Sequence, residues 1–369
     1  MLIAFRVENY LSFGEEQRLS MIAGSVKNHP DQLLEDFGRR AVCMAAVFGA
    51  NSSGKTNLVR AMGDTQAKIV RGTHLPVGAS CRSNDVEKPA GFEYIFSTGS
   101  GVYAYGFEIK VSTDTVVSEW LYETTSAERC LYEREGDGIV HHLARDGADE
   151  KLDLLAKLLA PGGGDLLLPI LARMNDEEGD VFRSARSVME WFRDRLIVVP
   201  AGGVVPARLD DERDDIIRRV LSSYDTGVTD LAYERMESLP KDMPKELLDI
   251  LEANVRKGVV GLVRGPRDSY RFSYDDGTVA ERIVFYHDGR RFEFSEESDG
   301  TRRLYDLVPI LQKGMGDGLT IVVDEIDRSL HPQLTQRLIR DFLSIAKGCG
   351  RQLIATTHDT ALMSTALFR

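Results

Sequence analysis

The sequence predicts an α/β fold with a mostly parallel core sheet, an antiparallel β-subdomain and a helical insertion. Three observations support this prediction. A short apolar run, 41–48, leads through a glycine-rich loop into a stretch compatible with a helix. Two further apolar runs, 319–323 and 352–357, each end in polar residues, as strands buried in a parallel sheet do. Over 91–142, runs rich in β-branched and aromatic residues alternate with turn residues, which is the pattern of antiparallel strands.

The composition is that of an ordinary globular protein with a large core, since 43% of its 369 residues are hydrophobic and 28% are charged. A net charge of −12 argues against a surface coated in nucleic acid, although a local basic face that binds nucleic acid stays open. The four cysteines are scattered without metal spacing, which is typical of a reducing compartment. Neither a signal peptide nor a membrane-spanning run is present in the sequence, so we expect a cytoplasmic protein with no membrane partner.

Taken in order, the chain begins with an alternating strand over 1–10, whose expected partner is 19–23. After the glycine-rich loop and its helix, 68–88 is polar and predicts an exposed connection. Helical patterns interrupted by glycine and proline follow the antiparallel strands, and short β-runs return over 259–294. The predicted helices of the insertion lie at 150–159, 166–174, 181–196, 210–223 and 245–257. The expected domain divisions are 1–90, 91–146, 147–258 and 259–369.

Residues 49–56 have the spacing G-x-x-x-x-G-K-[ST] of a phosphate-binding P-loop. The glycines Gly49 and Gly54 allow backbone N–H groups to turn inward and form a nest for phosphate oxygens. Lys55 would reach the β- and γ-phosphates, and the Thr56 hydroxyl is a candidate Mg²⁺ ligand. The helix that begins here adds the positive end of its dipole. We therefore predict a site for a nucleotide and Mg²⁺ at Gly49, Asn51, Ser52, Ser53, Gly54, Lys55, Thr56 and Asn57.

Two carboxylates and a histidine follow the late apolar runs. Asp324, directly after 319–323, is predicted to ligate Mg²⁺, and Glu325 is predicted to polarise the attacking water. An Asp-Glu pair alone is more often a solvated strand end, but the P-loop reverses that balance. His358, directly after 352–357, is predicted to sense the γ-phosphate. The predicted catalytic residues are therefore Lys55, Glu325 and His358.

A serine–glycine turn precedes another predicted helix. Ser298 and Gly300 come just before apolar residues that recur at 304, 307, 308 and 311, which is helical spacing. The simplest interpretation is that Ser298 caps this helix. The functional interpretation uses the same groups to face a phosphate. We hypothesise that this phosphate belongs to the nucleotide of a second subunit.

The order of GANSSGKTN, ESDGT, IVVDEID, RSLHP and TTHD resembles the ABC-type ATPases of the SMC, RecF and OLD class. Further stretches, LSFGEEQRLSMIAG, FEYIF, VYAYGFEI, VSEWLYE and ESDGTRRLYDLVP, resemble the AbiLi/RloA-type AAA-like ATPases of bacterial abortive-infection systems. The resemblance implies an ABC-type P-loop ATPase head that forms a homodimer or higher oligomer on ATP. In each shared site, the P-loop, Asp324, Glu325 and His358 would come from one subunit, and Ser298 and Gly300 from the other. Residues 329–331 would match the loop that crosses between the two sites.

Two departures limit this resemblance. The sequence Ser298-Asp299-Gly300-Thr301 replaces the SGGQ of transporters, and no proline follows Glu325, so a membrane-transporter motor is disfavoured. The glutamine that usually links the metal to the sheet has no assigned counterpart, because Gln66 falls in a helical stretch.

The leading hypothesis is an ATPase subunit of an anti-phage defence system. ATP would close the dimer and hydrolysis would open it, which would control a partner effector, first of all a nuclease. One alternative is a RecF-like DNA-repair ATPase. The other is an ATP-dependent binding or scaffold module with little turnover.

Overall fold

The computed structural model describes residues 1–25, 27–50, 52–136, 138–141, 154–155, 159, 163–174, 179–201, 211–240, 243, 245–256, 261–264, 268–275, 277–312, 316–364 and 367–368. Its contacts separate two compact units, of which the first comprises 1–200, 318–325 and 346–369 and the second 201–317 and 326–345. The four-part division expected from the sequence stays a prediction. The helix predicted over 150–159 lies largely outside the described residues.

The strands are β1 Leu2–Glu8, β2 Gln17–Ser20, β3 Leu33–Asp36, β4 Arg39–Val42, β5 Met44–Phe48, β6 Ala90–Ser97, β7 Val102–Lys110, β8 Thr115–Glu123, β9 Arg129–Glu135, β10 Gly138–His141, β11 Leu196–Val199, β12 Asp230–Arg235, β13 Gly261–Arg264, β14 Ser269–Tyr274, β15 Thr278–His287, β16 Arg290–Glu293, β17 Thr320–Val323 and β18 Gln352–Thr357. The described α-helices are α1 Lys55–Arg71, α2 Leu168–Arg173, α3 Asp180–Glu190, α4 Asp211–Ser223, α5 Lys245–Val255, α6 Asp299–Leu311 and α7 Pro332–Ala346.

A parallel sheet lies in the first unit, with the strand order β11-β17-β18-β5. Every residue of β17 and β18 is buried, which explains why their sequences are continuous apolar runs rather than alternating ones. The predicted parallel core sheet is therefore confirmed. The short run 197–199, whose apolar residues predict a strand within the insertion 147–258, lies in β11 at one edge of this sheet.

The first unit also contains an antiparallel sheet, with the order β10-β9-β8-β7-β6-β1-β2. The predicted meander and the predicted pairing of the first two strands are confirmed, since Phe5 lies opposite Leu19. The β3–β4 hairpin was not predicted from the sequence. Its turn residues, Phe37 and Gly38, both have positive φ, the conformation of a type I′ turn, and Phe-Gly is not among the usual signals for that turn.

Helix α1 is held near its middle by hydrogen bonds from Tyr10, which follows β1, and Tyr94, which lies in β6. The Tyr10 hydroxyl donates to Asp64 at 2.8 Å, and burial beside that carboxylate raises the pKa of Tyr10 well above its usual range, so it stays a donor. Thr65 and Tyr94 share a hydroxyl bond of 2.7 Å. The helix ends at Gly72, where a φ of 68° suits glycine. These bonds fix the helix whose first turn carries the P-loop lysine.

The second unit contains the antiparallel sheet β12-β15-β14-β13, with β16 paired to β15. The β-runs predicted over 259–294 are confirmed, whereas β12 was not predicted. Helix α6 has a fully buried apolar face that includes Leu304, Leu307 and Leu311, in agreement with the predicted spacing.

Candidate functional site

The candidate site is the carboxyl edge, which we define as the ends of the four parallel strands together with the residues that directly follow them. The P-loop follows β5, Asp324 and Glu325 follow β17, and His358 follows β18. Because the strands are parallel and Val323 lies opposite Ala355, these segments leave the sheet at the same side. Three segments far apart in the sequence are thus neighbours in one unit.

The P-loop has a backbone shape that requires its two motif glycines. Gly54 has a φ of 96°, which residues with a side chain rarely adopt. A Cβ on Gly49 would lie 2.4 Å from the Ser53 Oγ atom, so a larger residue there would displace the Ser53 side chain. Ser52 also has a positive φ, 64°, and the Ser53 N–H donates to the Ala50 carbonyl at 3.2 Å. Asn51, a predicted binding residue, lies outside the described residues.

Lys55 is the first residue of α1 and is 7% exposed. Its ammonium group donates to the carbonyls of Gly49, at 2.6 Å, and Ala50, at 2.9 Å. The buried charge is therefore held against the loop by neutral oxygens. An anion in the same place would be a stronger partner for this ammonium group, because charge-assisted hydrogen bonds are roughly twice as strong as neutral ones.

The oxygens of Thr56 and Asp324 form a pair that suits Mg²⁺. The Thr56 Oγ1 atom lies 3.4 Å from Asp324 Oδ1, and Asp324 is 1% exposed. Neighbouring oxygens in an octahedral magnesium shell are about 3 Å apart, and Mg²⁺ prefers oxygen ligands. Both the chemistry and the spacing of this pair therefore fit the ion.

Sequence reasoning missed Thr356, in β18. Its hydroxyl donates to Asp324 Oδ1 at 2.6 Å and accepts the backbone N–H of Glu325 at 2.8 Å. The only sequence signal was a polar residue inside an otherwise apolar buried strand.

Glu325 and His358 stand at the end of their strands. Glu325 is half-buried and has a φ of 49°, a left-handed conformation that is uncommon for a residue other than glycine. His358 is exposed at the point where the chain turns away from β18. That turn is supported by the Asp359 N–H, which donates to the Thr357 hydroxyl at 3.0 Å.

The turn after β1 lies against the P-loop, which the motif alone did not indicate. The Asn57 side chain donates to the Ser12 hydroxyl at 2.9 Å. A Cβ on Gly54 would lie 2.9 Å from the same hydroxyl and 3.7 Å from the Phe13 ring. Asn57, predicted to bind the nucleotide, thus also connects α1 to this turn.

The serine–glycine turn belongs to the second unit. The Ser298 hydroxyl accepts the Thr301 N–H at 3.1 Å, so the predicted helix cap is present. A Cβ on Gly300 would lie 2.9 Å from the carbonyl oxygen of Ser329, so glycine allows the start of α6 to approach the segment 329–331 closely. Ser298 is exposed and Gly300 is half-buried. Their role toward a phosphate stays a prediction.

Gln66 has a structural partner. Its amide donates to the carbonyls of Phe192, at 2.8 Å, and Leu196, at 2.6 Å. The side chain therefore connects the middle of α1 to the start of β11.

A family model described as "AAA domain, putative AbiEii toxin, Type IV TA system" matches residues 44–162 and 208–364, which is more than half of the chain. The chain belongs to this family. The matched ranges contain the P-loop, Asp324 and Glu325, the serine–glycine turn and His358. The predicted relation to AAA-like ATPases of abortive infection is thereby confirmed at the level of the family.

Two solved structures are similar to the chain. One is the SMC head domain from Thermotoga maritima, with 14% identity, a TM-score of 0.39 and coverage of 99% of this chain and 91% of that chain. The other is the SmcHead bound to the C-winged helix domain of ScpA, with 13% identity, a TM-score of 0.43 and coverage of 99% and 92%. At these scores, neither likeness bears on the site.

No curated protein matches the chain. Among the described residues, no helix combines the length and the apolar character needed to cross a bilayer.

Proposed function

We propose that the protein is a Mg²⁺-dependent ATPase that converts ATP and water to ADP and phosphate. The observation that supports it most is the meeting of the P-loop and Asp324 at the carboxyl edge, where Thr56 Oγ1 and Asp324 Oδ1 are 3.4 Å apart. Membership of an AAA-domain family agrees with this activity.

Each part of the carboxyl edge has a task in this proposal. The backbone N–H groups of the loop and of the first turn of α1 bind the phosphate oxygens, and Lys55 moves its ammonium group from the loop carbonyls to the β- and γ-phosphates. Thr56 and Asp324 would hold Mg²⁺, and the ion would supply positive charge to neutralise the phosphates. Glu325 orients the attacking water and accepts its proton. His358 contacts the γ-phosphate.

The variant Glu325→Gln tests this division of labour. Because a general base contributes about 100-fold or more to a rate, we expect hydrolysis to fall by at least that factor while ATP affinity is kept. The exposed Glu128 supplies the control, and Glu128→Gln should leave both quantities unchanged. Phosphate release measures the rate and calorimetry measures the affinity. A Glu325→Gln variant that hydrolyses ATP at the wild-type rate would contradict the assignment.

We further propose that ATP closes a dimer in which Ser298 and Gly300 face the nucleotide of the other subunit. The family resemblance supports this arrangement, as does the start of α6, where an exposed serine and a half-buried glycine lie beside backbone N–H groups.

The substitution Ser298→Asp separates the two roles of the serine. Aspartate caps a helix as well as serine does, but it places a negative charge toward the triphosphate. In a Glu325→Gln background we expect ATP to produce a dimer by light scattering, and Ser298→Asp to abolish it. Ser298→Asn, which caps without charge, is the matched control. Equal dimer formation in both variants would overturn the shared site.

We propose that the dimer controls a partner effector, first of all a nuclease, in bacterial anti-phage abortive infection. The support is the family description, which names a toxin and a type IV TA system. Co-purification with the product of the neighbouring gene, with and without ATP, tests the partner. Binding that does not respond to ATP, or no binding, would count against control by the nucleotide.

A further inference from the structure

The hydroxyl of Thr356 joins the two acidic residues of the carboxyl edge. Thr356 is the penultimate residue of β18 and is 1% exposed. The same oxygen lies 2.6 Å from Asp324 Oδ1 and 2.8 Å from the backbone nitrogen of Glu325. The role of Asp324 would be to bind the metal and that of Glu325 to activate water, so one buried hydroxyl contacts both components.

We infer that Thr356 is a positioning residue for the ATPase reaction. It fixes the carboxylate of Asp324 for Mg²⁺, and through the N–H of Glu325 it fixes the backbone from which the water-activating carboxylate extends. This inference deepens the proposed function and rests on it.

The direction of both hydrogen bonds follows from donor chemistry. An ionised carboxylate only accepts and a backbone N–H only donates, whereas a hydroxyl has one proton to donate and lone pairs to accept with. Thr356 must therefore donate to Asp324 and accept from Glu325. The 2.6 Å length lies in the range of a charge-assisted O–H···O⁻ bond. Valine has the same shape as threonine and can form neither bond.

The backbone of Glu325 makes the second bond important. Its φ of 49° lies in the left-handed region, which a glutamate adopts only when its surroundings hold it there. The Asp324 N–H, one residue earlier, donates to the Val199 carbonyl at 2.9 Å and holds the incoming chain. The Thr356 hydroxyl then holds the N–H of Glu325 itself. Loss of that bond would allow the peptide to relax and the carboxylate to change direction.

The opposite end of the same sheet contains a comparable threonine. Thr320, the first residue of β17, is fully buried, and its hydroxyl donates to the Gln352 side chain at 3.3 Å. If Thr356 only satisfied a buried polar group, loss of either hydroxyl would have the same consequences. Thr320→Val is therefore the matched control for Thr356→Val.

The test measures kcat, the KM for ATP and the Mg²⁺ concentration for half-maximal rate. For Thr356→Val we expect kcat to fall by about 10- to 100-fold and the Mg²⁺ requirement to rise, because residues that orient metal ligands have effects of that size. The KM for ATP should change little, since the P-loop is intact. Thr356→Ser should restore both quantities. Thr320→Val should leave both at wild-type values.

A second measurement needs neither metal nor turnover. Hydrogen exchange of the Glu325 amide should be faster in Thr356→Val than in the wild type or in Thr320→Val, and Thr356→Ser should slow it again. Normal kcat, Mg²⁺ requirement and exchange in Thr356→Val, beside an active wild type, would overturn this inference and leave the ATPase standing. A wild-type protein that neither binds nor hydrolyses ATP would overturn the proposed function and the positioning role with it, whatever the exchange rate.

Discussion

The two ends of the parallel sheet are formed by the same strands but differ in their polar groups. At the amino edge, which we define as the start of β17 and β18 with the residues before β5, polar groups are buried and bonded to one another. The Gln352 side chain accepts the Leu2 N–H at 2.5 Å and donates to the carbonyls of Leu2 and Val42 at 3.0 and 3.2 Å. Such closed networks specify strand register and contribute to stability.

The carboxyl edge differs in backbone strain and in accessible chemistry. Ser52 and Glu325, which both carry side chains, have positive φ there, and the loop exposes Ser52 and Ser53. Backbone strain of this kind concentrates at functional sites and is stabilised by the surrounding fold. The comparison indicates that the amino edge secures the sheet while the carboxyl edge performs the chemistry. Substitutions at the two edges should therefore affect different measurements.

The largest expected effect is at the carboxyl edge, for Lys55→Ala. Removal of the ammonium group should weaken ATP binding by at least about 100-fold, or roughly 2.7 kcal/mol, because a charge-assisted contact to the phosphates is lost. Calorimetry measures the affinity. Lys110, which is partly exposed and pairs with Glu87, provides the control Lys110→Ala, for which no change in affinity is expected. Near-normal binding by Lys55→Ala would show that this edge does not bind the nucleotide.

The largest expected effect on stability, as distinct from ATP affinity, is at the amino edge, for Gln352→Leu. Its buried bonding partners would be left unsatisfied, so the free energy of unfolding should fall by about 3 kcal/mol. ATP affinity of the folded protein should not change. Urea denaturation and calorimetry on the same sample separate the two quantities. A loss of ATP affinity without a loss of stability would contradict the division between the edges.

A pair of glycines sharpens the comparison further. Gly54 at the carboxyl edge and Gly350 before β18 both have positive φ, 96° and 62°. Gly350→Ala should cost about 1 kcal/mol of stability and leave ATP binding intact, since the atoms nearest the added Cβ are at an ordinary contact distance of 3.7 Å. Gly54→Ala should in addition weaken ATP binding, because its Cβ would lie 2.9 Å from the Ser12 hydroxyl. Equal ATP affinities in the two variants would contradict a role of Gly54 in ATP binding.

The smallest effect at neutral pH concerns Cys43, which is fully buried directly before β5. Burial raises the pKa of its thiol to about 12. The unfolded chain would ionise this thiol near pH 8.5 and the folded protein would not, so stability should fall as the pH rises above about 8.5, by up to 1.4 kcal/mol per pH unit. Urea denaturation between pH 7 and 10, compared with Cys43→Ala, measures this contribution. Rapid labelling of Cys43 by a thiol reagent in the native protein would contradict the burial of this residue at the amino edge.

The sequence predicted much of the fold because burial leaves a direct pattern. Strands buried on both faces appeared as continuous apolar runs, and the bounds of β18 agree with those of the predicted run 352–357. The β3–β4 hairpin and β12 were missed because their residues carry weak turn and strand signals, and their pairing is decided by neighbours distant in the sequence.

The sequence predicted the individual residues of the candidate site, but it did not predict the hydrogen bonds that connect them. The motif of the P-loop and the apolar run before Asp324 are local, so residue type and spacing were sufficient to identify them. The bonds of Thr356 to Asp324 and Glu325, and of Asn57 to Ser12, depend on strand register and on the position of a turn.

The sequence by itself determined the family, the P-loop, the acidic pair and the secondary structure of the strands that carry them. Only the tertiary structure decided that β1 joins the antiparallel sheet, that β11 lies at the edge of the parallel sheet, and that one threonine hydroxyl joins Asp324 to Glu325. The physical reason is that hydrophobic periodicity and motif spacing act over a few neighbouring residues, whereas hydrogen-bond partners are selected by the packing of segments that meet only in the folded chain.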